Sequence, residues 1–159
     1  MISDPASAGI DALSLDLPDV AATAALGERL AAALCPGDVV ALTGDLGAGK
    51  TALARAIINA LPTPDGTVRQ EPVPSPTFTL VQVYDRAPAA LWHFDLYRLA
   101  SPDEVVELGW DEARADGIVL VEWPDRLGPL CPLDRLDITL FAPPDEPGRR
   151  AVLQAGEAW

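Results

Sequence analysis

Eight consecutive residues, Gly44-Asp45-Leu46-Gly47-Ala48-Gly49-Lys50-Thr51, carry the densest chemistry in the chain. They spell G-x-x-x-x-G-K-T, a loop whose backbone N–H groups converge on one anion. Gly44, Gly47 and Gly49 supply the backbone freedom that such a curl needs. A helix starting behind the loop adds a favourable dipole for phosphate. Lys50 suits a bridge between β- and γ-phosphates and is expected to face solvent until phosphate arrives, while the Thr51 hydroxyl suits Mg²⁺.

A phosphate loop needs an acid near Mg²⁺, and ligand sites in such sheets lie beyond the carboxyl ends of the strands. Two positions qualify. Glu122 follows the apolar run Ile118-Val119-Leu120-Val121, where a charge must meet water or a metal. Asp95 follows Trp92-His93-Phe94. Either is a metal ligand, a water-activating group or a paired structural carboxylate. Thr77, in Ser75-Pro76-Thr77-Phe78, stands where switch-type nucleotide hydrolases sense the γ-phosphate and Mg²⁺; a proline-set turn opening a strand is the alternative. His93 reads as a packed strand residue before a proton carrier. Trp123 and Tyr97 suit stacking on a base, facing a partner or ordinary core packing. Arg98 and Arg126 follow the two acids and are the arginines with a chance of reaching in, whereas Arg55 is expected to point away.

These residues need a scaffold of alternating strands and helices. Val39 to Thr43 is short, apolar and β-branched, as in a buried parallel strand, and Leu53, Ile57 and Leu61 recur at helical spacing behind the loop. Leu13 to Leu17 alternates like an edge strand. Ala22, Leu26, Leu30 and Leu34 mark an amphipathic helix that ends at Cys35-Pro36-Gly37. Strands are expected over Phe78 to Tyr84, Leu91 to Tyr97 and Ile118 to Val121. Ser101-Pro102-Asp103-Glu104 has the signals of a helix start, with Ser101 as the cap, and a second short helix is expected from Asp111 to Ala115. Leu136 to Leu140 alternates as in a half-exposed antiparallel strand, and the turn Ala142 to Arg149 closes a hairpin with Ala151 to Gln154. Pro62 to Pro76 has the composition of a segment ordered only on docking.

With 159 residues the chain suits one domain over 12–159, with residues 1–11 a flexible N-terminus. A formal net charge of −13 opposes direct binding to nucleic acid. It suits a basic protein surface instead. Cys35 and Cys131 have no zinc spacing and read as thiols in a reducing cytoplasm. No signal peptide or membrane span is legible.

Four motifs in fixed order, GDLGAGKT, SPTFTLV, HFDLYRL and VEWPDR, together resemble the TsaE (YjeE) family. Those are small bacterial ATPases required for threonylcarbamoyladenosine modification of tRNA next to the anticodon. The resemblance implies an α/β fold: a P-loop NTPase-like three-layer sandwich with a mixed, mostly parallel sheet and a C-terminal antiparallel hairpin. It implies ATP and Mg²⁺ as cofactors. Lys50, Asp95 and Glu122 take the catalytic positions, and Thr51, Asp95 and Glu122 surround the metal. Gly44 to Thr51, with Thr77 and Trp123, are the candidate nucleotide contacts. TsaD-like and TsaB-like subunits are the implied partners, with tRNA met only through them. The connector Pro62 to Pro74 is longer than the family pattern. A small-molecule P-loop kinase and a nucleotide-gated binding module compete with this reading. A kinase wants an arginine-bearing lid, yet Lys and Arg total only 11 with no Arg-rich stretch. The pair Asp95 and Glu122 argues against a module without turnover. No other Lys or Arg lies between Gly44 and Thr51, so hydrolysis is expected to be slow alone and faster with partners.

Overall fold

Two continuous apolar strands set the architecture, because a strand buried on both faces needs a covering layer on each side. The computed structural model describes residues 12–156 and residue 159, so the N-terminus expected to be loose over 1–11 lies outside them. In chain order the elements are β1 (Leu13–Leu17), α1 (Val20–Ala33), β2 (Val39–Thr43), α2 (Lys50–Ala60), β3 (Val81–Tyr84), β4 (Leu91–Asp95), α3 (Glu104–Glu107), α4 (Trp110–Asp116), β5 (Ile118–Glu122), a 3₁₀ segment (Pro124–Leu130), β6 (Leu136–Phe141) and β7 (Arg149–Ala155). The seven strands form one sheet ordered β1-β7-β6-β2-β5-β4-β3. Strands β6, β2, β5 and β4 are parallel neighbours, while β7 runs against β6, β1 against β7 and β3 against β4. The mixed, mostly parallel sheet and closing hairpin are therefore present.

Strand parity divides the core in two. Val40, Leu42, Ile118 and Leu120 face a layer containing α1 and α2. Val39, Ala41, Val119 and Val121 face Trp110, Ala113 and Leu127 from α4 and the 3₁₀ segment. Helix α1 starts at Asp19, whose carboxylate accepts from the Ala22 N–H at 2.8 Å. It packs so closely on α2 that a Cβ at Gly27 would lie 2.5 Å from the Ala56 Cβ. Among the described residues no helix is long and apolar enough to cross a membrane.

Several expectations need correction. β6 is antiparallel only to β7 and parallel to β2. Its alternation arises because Leu136, Ile138 and Leu140 are covered while Thr139 and Phe141 are exposed, a one-sided burial that either pairing allows. The strand expected from Phe78 begins only at Val81: Leu80 N–H donates to the Pro76 carbonyl at 2.7 Å, and Leu80 takes φ 69°. β4 stops at Asp95. Helix α3 starts two residues late, since its N-cap is Asp103 without a side-chain bond and Ser101 contributes only its carbonyl, to Glu104 N–H.

The connector from Pro62 to Pro76 lacks regular structure but is strapped down. Asn59, in the last turn of α2, donates to the Glu71 carbonyl and accepts from the Glu71 N–H, both at 3.1 Å. Arg55 points away from the loop, as expected, and donates to the Val73 carbonyl at 3.1 and 3.3 Å. Buried Arg86 pairs with the Glu71 carboxylate and donates to the Ile58 carbonyl. Val73 is fully seated in the core below α2. Composition missed these ties because the partners lie outside the segment. Asn59→Ala is expected to destabilise the chain by about 1–3 kcal/mol, the cost of two unpaired backbone groups. It should also open 62–72 to limited proteolysis. Unchanged urea midpoint and cleavage pattern would contradict the strap.

Candidate active site

The alternation of β4 and β5 decides what meets the phosphate loop. Ile118, Leu120 and Leu91 point to the α2 layer, so Glu122, His93 and Asp95 do too. Asp95 lies opposite Glu122, and His93 opposite Leu120, across the parallel pair. The loop leaves β2 beside them and ends where Lys50 opens α2. Gly44 makes the turn possible: at φ +153° a Cβ there would stand 2.5 Å from the Leu140 carbonyl oxygen. The loop tip is open, with Leu46 exposed, and Ala48 N–H closes a turn on the Asp45 carbonyl at 3.0 Å.

Lys50 is buried, contrary to the expectation of a solvent-facing side chain. Its Nζ donates to the carbonyls of Gly44 and Asp45 and lies 4.3 Å from the centroid of the Trp123 ring. An ammonium accepts this site because carbonyl dipoles and an indole face replace lost water. Burial lowers its pKa from 10.5, and the charges of Glu122, Asp95 and Asp45 pull it partly back. Trp123 holds φ 60°, a left-handed conformation costly for a non-glycine residue, and its ring packs on Tyr97 with centroids 5.0 Å apart. Strain of this kind concentrates at functional sites. Trp123 is thus placed on the lysine, half-buried against the second core cluster.

Thr51 and Glu122, 71 positions apart, meet directly: Thr51 Oγ1 lies 3.0 and 3.2 Å from the two carboxylate oxygens. Glu122 Oε2 also lies 2.7 Å from His93 Nε2. Asp95 is held differently. Ser75 and Thr77 hydroxyls donate to its Oδ2, and the Tyr97 N–H to its Oδ1. Thr77 is therefore brought to the acid, 3.3 Å away. Arg98 stacks on Phe78 with 4.5 Å to the ring centroid, Arg126 is exposed, and among the described residues neither makes a hydrogen bond to the loop. The arginine that does is Arg149, at the start of β7. Its Nη2 donates to the Gly47 carbonyl at 3.1 Å. No local pattern marks it; it arrives through the pairing of β7 with β6, whose neighbour β2 leads into the loop.

The donors fit Mg²⁺. A threonine hydroxyl in contact with a carboxylate is an all-oxygen pair, which suits a hard cation. Among the described residues no group of three or more His, Cys, Asp and Glu is arranged to hold a metal. That excludes a self-contained cage there, and Mg²⁺ at phosphate sites characteristically takes one or two protein ligands plus phosphate and water. On the other side of the loop a cleft of about 840 Å³ runs between α1 and α2, lined by Asp19, Thr23, Ala52 and Ala56 and reaching Gly49 and Arg149.

A family model described as "Threonylcarbamoyl adenosine biosynthesis protein TsaE" matches residues 17–151. A Rickettsia conorii protein named tRNA threonylcarbamoyladenosine biosynthesis protein TsaE is 39% identical over 76% of this chain; the chain spans 66% of that relative's length, just under two thirds. A Mycobacterium bovis protein of the same name is 39% identical over 78% of this chain and 76% of its own. Among solved structures, that of Bacillus subtilis YdiB superposes with a TM-score of 0.73 at 30% identity, covering 96% of this chain and 90% of the other.

The lysine's environment has a measurable consequence. Its folded pKa lies below 10.5. The unfolded chain therefore binds that proton more tightly, and stability rises with pH from the folded pKa up to 10.5. In Lys50→Met this contribution vanishes. Urea melts from pH 8 to pH 11 should show parent stability gaining on Lys50→Met as pH approaches 10.5; a constant difference across that range would contradict a desolvated ammonium.

Proposed function

The chain belongs to the TsaE family, and on that premise we propose that it binds and hydrolyses ATP with Mg²⁺ to drive the protein complex that forms threonylcarbamoyladenosine in tRNA. The observation that carries the reading is the direct contact of Thr51 with Glu122 beside a buried Lys50, at the end of a loop built for phosphate. The phosphates lie along the loop N–H groups, with the base in the apolar cleft between α1 and α2. Lys50 exchanges its two carbonyl partners and the indole face for the β- and γ-phosphate oxygens. Thr51 and Glu122 would hold Mg²⁺, which when bound would supply positive charge to offset that of the phosphates. Asp95, steadied by Ser75 and Thr77, orients the attacking water. Arg149 adds a cation at the loop, but its guanidinium is already committed to the Gly47 and Gly148 carbonyls.

That commitment favours a site completed by another chain. TsaD-like and TsaB-like subunits are the proposed partners, and the cytoplasm the proposed compartment. With a net charge of −13 the isolated chain should meet tRNA only through them.

Phosphate release tests this reading. The chain alone should turn over slowly, and a TsaD–TsaB pair should accelerate it, an added arginine being worth roughly 10³–10⁵ in such sites. Glu122→Gln and Asp95→Asn should lose most of the stimulated rate and less of the nucleotide affinity. Arg149→Ala should weaken nucleotide binding yet keep the ratio of stimulated to basal rate. Fast hydrolysis by the chain alone, abolished in Arg149→Ala, would show that the finger is internal and the partner dependence wrong.

A further inference from the structure

We propose that His93 is a positioning residue that holds the Glu122 carboxylate against Thr51, an inference that rests on the Mg²⁺–nucleotide reading above. His93 is completely buried, and its Nε2 lies 2.7 Å from Glu122 Oε2. Its other ring nitrogen, Nδ1, is buried and has no hydrogen-bond partner among the described residues. This asymmetry selects the tautomer. A proton on Nδ1 would be a buried donor without an acceptor, and Nε2 would then turn a lone pair towards a carboxylate. With the proton on Nε2 the one donor meets the carboxylate, and only a lone pair is left unpartnered.

Glu122 needs such a partner. It is buried, so water is not at hand to hold it, and the last torsion of a glutamate side chain has a broad, shallow preference. Here the carboxylate is gripped from two sides: His93 on β4 holds Oε2, and the Thr51 hydroxyl at the start of α2 lies 3.0 Å from Oε1. His93 reaches neither the loop nor the phosphates and acts through Glu122. The arrangement is that of an outer residue orienting a ligating carboxylate, and loss of such a partner typically costs 10–100-fold in metal affinity.

The test measures binding of a fluorescent ADP analogue as Mg²⁺ is raised, for the parent, His93→Gln, His93→Asn and His93→Leu. The Gln amide nitrogen reaches the position of Nε2, so His93→Gln should need the parental Mg²⁺ concentration within about twofold, while His93→Leu and His93→Asn should need about tenfold more. Affinity in EDTA should be unchanged throughout, and in His93→Leu and His93→Asn kcat for ATP at saturating Mg²⁺ should fall without a rise in KM. Should His93→Leu fail to fold by circular dichroism, the Gln–Asn pair, both polar, decides. Parental Mg²⁺ dependence in His93→Asn overturns the positioning role while leaving the proposed function standing. No Mg²⁺ dependence in the parent overturns the proposed function and this inference with it.

Discussion

The ammonium of Lys50 has to be kept charged where water is scarce, and the site is arranged around that requirement. Two loop carbonyls take its hydrogen bonds, and the Trp123 indole covers it. Three carboxylates lie near enough to offset part of the desolvation. Each feature requires another part of the fold. The carbonyls turn inward because the loop leaves β2 through Gly44, pressed on the Leu140 carbonyl of β6. The indole reaches the lysine because Trp123 takes a left-handed conformation straight after β5. The carboxylates arrive on adjacent parallel strands, in a register that sets Asp95 beside Glu122.

The same logic explains how the site is preorganised. Glu122, His93 and Thr51 already share hydrogen bonds, and Ser75, Thr77 and the Tyr97 N–H already occupy Asp95. The strap through Asn59, Arg55 and Arg86 fixes the connector that delivers Ser75 and Thr77. Phosphate and metal would therefore displace existing bonds in a preformed frame, which limits the ordering cost of binding.

Local pattern carried the central elements. The apolar runs at Val39 to Thr43 and Ile118 to Val121 could hardly be anything but buried strands, and the glycine spacing of the loop admits few geometries. Glu122 and Asp95 were legible for the same reason, as charges ending apolar strands. What escaped is non-local. Arg149 sits about a hundred positions from the loop and reaches it only through sheet order. The strap depends on Asn59 and Arg86, each ordinary in its own neighbourhood. The alternation of β6 reports burial on one face and is silent about strand direction. The placement of Trp123 on Lys50 follows from a backbone angle that no residue type announces.

The central claim is that this frame binds a nucleotide through its phosphates with Mg²⁺ held between loop and strand. Calorimetric titration of ATP into the chain, in Mg²⁺ and in EDTA, tests it most directly. The account predicts one saturable site, tightened by Mg²⁺ and displaced by ADP and by pyrophosphate. Binding that is indifferent to Mg²⁺, or that pyrophosphate cannot displace, would contradict it.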